Sequence, residues 1–181
     1  MVPADNESMQ SSHTAACGLI VFCLVACAPN LDWREVRPEG SGAVAMFPCK
    51  PTAQSRAVRL AGTRVNMALL ACTAGGTTWA LAHADLTDAS RVGPALAELR
   101  AAAAANLGAS APAELPLKVP GATPNPASGR IELAGHAPDG KPVREQMAVF
   151  SQGTRVFQAT ALGGQPGAEA LESFFGGLKL P

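Results

Sequence analysis

The chain has 181 residues with 14 basic and 14 acidic side chains, a length that fits one domain plus an appendage. Hydrophobic residues make up 48% but aromatics only 4%, so the core must be built mainly from small and aliphatic side chains. The basic residues are spread singly with no aromatic interleaving, which excludes a nucleic-acid-binding stripe and leaves no nucleic acid among the expected partners.

The chain opens with a segment unlike the rest. Every Lys and Arg follows residue 30, and Ala15 to Ala26 is an uncharged apolar run of 12 residues. A membrane-spanning helix needs roughly 20 such residues, so the run suits the hydrophobic stretch of an export leader. It ends in Leu24-Val25-Ala26-Cys27, which resembles the lipobox of bacterial lipoproteins. That resemblance implies cleavage before Cys27 and lipidation of its thiol. Each buried CH₂ contributes about 0.8 kcal/mol, and stable anchoring takes more than one acyl chain. Residues 1–14 carry no Lys or Arg where a leader normally begins positive, so either translation starts at Met9 or the leader departs from the pattern. The competing reading, a buried N-terminal helix with a free cysteine, would need a polar face that this run lacks. Ala28 and Pro29 carry no inner-membrane retention signal of the Asp type, so the expected address is the outer membrane, facing the periplasm.

The address bears on the other cysteines. Cys17 and Cys23 would leave with the leader, and Cys49 and Cys72 would remain. In an oxidising compartment a leftover pair is expected to form a structural disulfide. Two free buried thiols and a redox pair are the alternatives, although a redox pair usually shows C-x-x-C spacing.

After a polar lead-in come four runs that read as strands. Ala43 to Cys49 is short and stopped by Pro48. Arg56 to Gly62 and Arg64 to Cys72 alternate around a tight turn at Gly62-Thr63. A fourth run follows Gly75-Gly76 and places Trp79, Leu81 and His83 on one face. Short turns between them predict an antiparallel meander. Val92, Leu96, Leu99, Ala103 and Leu107 then recur as one helical stripe through an alanine run. Asp88 or Ser90 is placed to cap this helix, Pro94 near its first turn, and Gly108 at its end. Residues 109–128 hold five prolines and read as a connector with a short edge strand near Leu115 to Val119. Three more strands follow, over 129–136, 141–152 and 154–164, the first two joined by a Pro-Asp-Gly turn. A final short helix sets Ala168, Leu171, Phe175 and Leu178 on one side, with Glu169 and Glu172 on a solvated one.

The expected fold is therefore α+β: an antiparallel sheet of six to seven strands with one long and one short helix packed on it. The expected organisation is a leader over 1–26, a lipid-anchored lead-in over 27–42 and a single domain over 43–181. The runs "PEGSGAVAMFPCKP" and "GTRVFQATALG", with the closing "AEALESFFGGLKL", resemble small bacterial envelope proteins of PsbP-like architecture. The resemblance implies a fold and carries no active site, because a shared fold does not transfer function.

Catalytic motifs are absent from the sequence. There is no G-x-S-x-G elbow, and Gly75-Gly76-Thr77-Thr78 lacks the Lys of a phosphate loop. His83 and His136 are the only histidines after the leader, too few for a zinc site of three or four ligands, so no metal and no cofactor are expected. Two functions remain beside a purely structural reading, a tethered domain that braces the envelope. One is a non-enzymatic, membrane-tethered module that binds an envelope partner. The other is a small-ligand binder or enzyme with a pocket between the long helix and the sheet, near Trp79, His83 and Asp85.

Overall fold

A computed structural model describes residues 31–109 and 111–181. The lipobox residues Leu24, Val25, Ala26 and Cys27 lie outside them. Within them the fold is α+β. A seven-stranded antiparallel sheet comprises β3 (Thr52–Leu60), β4 (Thr63–Ala74), β5 (Thr77–Asp85), β6 (Ala113–Leu115), β7 (Gly129–His136), β8 (Pro142–Gln152) and β9 (Arg155–Leu162). Its order is β3-β4-β5-β9-β8-β7-β6. Two meanders thus meet at the centre, where β5 pairs antiparallel with β9.

The segment 27–42, expected as lead-in, contributes β1 (Arg34–Val36). It pairs with β2 (Ala45–Phe47) in a separate two-stranded sheet. The first run therefore does not join the expected four-strand meander. Pro48 and Pro51 bracket the Cys49-Lys50 corner and break the strand there, because proline cannot continue a hydrogen-bonded ladder. A disulfide joins Cys49 at this corner to Cys72 on β4, fastening the small sheet's connection to the large one.

The two faces of the large sheet are covered differently. On one, α1 (Val92–Leu107) packs over β7, β8 and β9, burying Val92, Ala95, Leu96, Ala103 and Leu107 against Ile131, Leu133, Met147 and Val149. This is the stripe expected from the sequence. Asp88 accepts a hydrogen bond from the Ser90 N–H and caps a short 3₁₀ turn, Ala89–Arg91, that leads into the helix. Pro94 sits in the first turn, where its missing N–H leaves no intrahelical bond unmade. Gly108 closes the helix in the left-handed conformation. Beside the last helical residue, Gly135 on β7 allows a close approach: a Cβ there would lie 2.0 Å from the Leu107 carbonyl oxygen.

The other face carries α2 (Ala168–Gly176) and the small sheet. Trp79, Phe47 and Phe174 form edge-to-face contacts with ring centroids 5.1–5.6 Å apart, and Phe150 stacks on Phe157. Edge-to-face geometry sets the positive ring edge on a negative ring face, adding to the roughly 1.5–3 kcal/mol that each buried side chain contributes. Helix α2 turns Phe174 and Phe175 inward and leaves Ala168 exposed. Glu172 is exposed but not idle. It accepts a 2.9 Å hydrogen bond from Arg130, whose guanidinium carbon lies 4.1 Å from the centroid of the Phe175 ring. The short edge strand sits at 113–115 rather than 115–119, tied to α1 by an Arg100–Glu114 ion pair.

Candidate functional site

Helix α1 lies over β7 to β9 and clusters with Leu60, Val65 and Ala84 at one end of β3 to β5, leaving the rest of that face uncovered. A cavity of about 260 Å³ opens there. Strand alternation decides its lining. Gln54 and Arg56 on β3, Met67 and Leu69 on β4, and Ala80 and Ala82 on β5 share one face with Gln158 and Thr160 on β9. Alanines at 80 and 82 leave the floor low, and Leu69 and Met67 keep part of their apolar surface exposed. Gln158 donates a 3.3 Å hydrogen bond to the Thr160 hydroxyl at the polar end.

Among the described residues, Arg56 is the only ionisable group in the lining. The Ser55 hydroxyl donates its hydrogen bond to the Asn66 side-chain oxygen. Next to the cavity, Glu145 is 6% exposed between Leu133 and Leu162. Burial pushes its carboxyl above the usual range, opposed in part by a hydrogen bond from Thr160.

Trp79, His83 and Asp85 alternate onto the opposite face of β5 from Ala80 and Ala82. Trp79 is fully enclosed, and its indole N–H donates to the Ala74 carbonyl. His83 is buried near Phe157, and its Nε2 has no hydrogen-bond partner among the described residues. Burial lowers its pKa, and the Arg155 guanidinium lowers it further. Asp85 accepts hydrogen bonds from the Thr154 hydroxyl and, with smaller effect, the Thr87 N–H, which hold its carboxyl below the usual range. The three share a face as their spacing implies, but none lines the cavity.

Among the described residues no group of three or more His, Cys, Asp and Glu side chains is placed to hold a metal ion. No described helix is long and apolar enough to cross a membrane. Neither a protein-family model nor a curated protein matches the chain.

The residues around the cavity are not among those singled out from sequence. One signal was present: β3 reads TAQSRAVRL, with no large apolar residue before Val58. A strand polar on both faces is an edge strand that neither layer covers.

Proposed function

We propose that this is a lipid-tethered protein of the bacterial envelope whose α+β domain works by binding an envelope partner rather than by catalysis. The carrying observation is the lining of the uncovered cavity. Among the described residues it offers apolar contact, amide and hydroxyl groups and one fixed positive charge, but no carboxylate, imidazole or thiol. Such a set holds a ligand group and has no member that exchanges a proton near neutral pH. The Cys49–Cys72 disulfide supports an oxidising address.

The tether sets the orientation. Leu31 lies beside Gly75, at the turn between β4 and β5. The four residues from Cys27 to Leu31 span at most about 14 Å, so the lipid anchor keeps that turn near the membrane. Strand β4 has 12 residues. At about 3.4 Å per residue it carries the opposite hairpin tip roughly 40 Å away. Crosslinking in intact cells tests the reading, with Cys27→Ser as the mislocalised control. A recurrent envelope protein captured by the tethered form and lost in the control is expected. Equal capture by both forms, or none by either, contradicts it.

A further inference from the structure

Three independent features converge on one corner of the sheet. The first is a free backbone edge. Among the described residues strand β3 is terminal in the sheet and pairs only with β4. Ala61 and Gly62 both have positive φ, 47° and 74°, which makes their turn the two-residue hairpin type that sets Leu60 and Thr63 as a hydrogen-bonded pair. Alternation then turns the N–H and C=O groups of residues 53, 55, 57 and 59 outward, away from β4.

The second feature is the cavity, which opens directly beside this edge through Gln54 and Arg56. At about 260 Å³ it falls below the roughly 300–1,000 Å³ of sites that enclose a whole drug-sized ligand. It is large enough for a single apolar side chain. Size therefore favours an inserted side chain over a free small molecule.

The third feature is charge. Arg56, Arg59 and Arg64 are exposed and form no ion pair among the described residues. Arg59 and Arg64 face each other directly across the hairpin on the opposite face of the sheet from Arg56, a like-charge pairing that acidic side chains on the other face of an added strand relieve.

We propose that β3 is a docking edge for an extended acidic segment of a partner protein. The segment adds as an eighth strand, places an apolar side chain opposite Gln54 at the mouth of the cavity, toward Leu69, and sets a carboxylate two residues away against Arg56. Two residues along a strand return to the same face, so one segment reaches both points. A second copy of this chain fits poorly. Antiparallel pairing of two β3 strands about their centres sets Arg56 opposite Arg56. The same arginines discourage unspecific edge pairing and admit acidic partners.

This docking site rests on the binding reading above and fails separately from it. The probes are fluorescent eight-residue peptides of alternating pattern, with Leu or Phe followed two positions later by Glu or Lys. Their binding to the membrane-extracted protein is followed by fluorescence polarisation. The Glu peptides are expected to bind saturably and at least tenfold more tightly than the Lys peptides. Arg56→Glu is expected to invert that preference. Ala57→Pro removes an outward N–H and is expected to abolish binding. A thermal melt reports whether the proline variant folds; if it does not, the Arg56 charge reversal carries the test. No saturable binding of any Glu peptide up to about 1 mM, the weak end of specific affinity, overturns the proposal. So does binding indifferent to Arg56→Glu. Continued capture of a partner by intact-cell crosslinking would then leave the binding reading standing without this edge.

Discussion

Replacing both Cys49 and Cys72 by Ala removes a crosslink between residues 23 apart in sequence. In the chain-entropy model a loop of that length lowers the unfolded state's entropy by about 11 cal/mol/K, or roughly 3 kcal/mol at 25 °C. The native state loses little else, since both side chains are only partly buried and β4 remains paired to β3 and β5. A domain of this size shifts by about 2–4 °C per kcal/mol, so the melting temperature should fall by about 10 °C. Urea unfolding should show the same loss, together with a larger m value, because the open unfolded chain exposes more surface. Reducing the wild type should reproduce both changes. A double variant within about 1 kcal/mol of the wild type, with m unchanged, would refute the argument that the bond acts through the unfolded chain.

Gly135→Ala places a Cβ 2.0 Å from the Leu107 carbonyl oxygen, backbone that cannot move without lifting the end of α1. Equilibrium unfolding should show a loss of about 3 kcal/mol or more. Gly140→Ala, at a φ of 80° with open space around it, should lose only about 1–2 kcal/mol. Burial raises the Glu145 carboxyl above its unfolded value, so the folded state holds that proton more tightly. Its contribution is therefore full at acid pH and declines as pH rises through the folded pKa. Glu145→Gln should flatten that decline, with a larger advantage over the wild type at pH 7 than at pH 4, read from urea midpoints across pH.

The legible parts of the fold are those with clean periodicity. Strand β7 runs over 129–136 as read from sequence, and β8 and β9 depart from their expected bounds by no more than two residues, since apolar alternation and a Pro-Asp-Gly turn mark them. Helix α1 follows from one stripe of Val, Leu and Ala ending at a glycine. Strands β1 and β2, at three residues each, are too short to show a period, and β2 precedes β3 closely enough to look like its hairpin partner. That Trp79, His83 and Asp85 share a face was readable from spacing alone. Which face α1 covers was not, because β5 carries Trp79 and Leu81 on one side and Ala80, Ala82 and Ala84 on the other, all buried or half-buried. The cavity depends on β9 lying beside β5, a pairing between residues 70 or more apart in the chain that no local pattern encodes.

The central claim, a tethered binding domain, depends first on Cys27. The most direct measurement is the mass of the N-terminal peptide released from protein purified out of cell membranes. A peptide that begins at Cys27 and carries a diacylglyceryl group, with a further acyl chain on its amine, is the predicted result. A peptide that runs unmodified through Val25, Ala26 and Cys27 would contradict the tether and the orientation of the domain built on it.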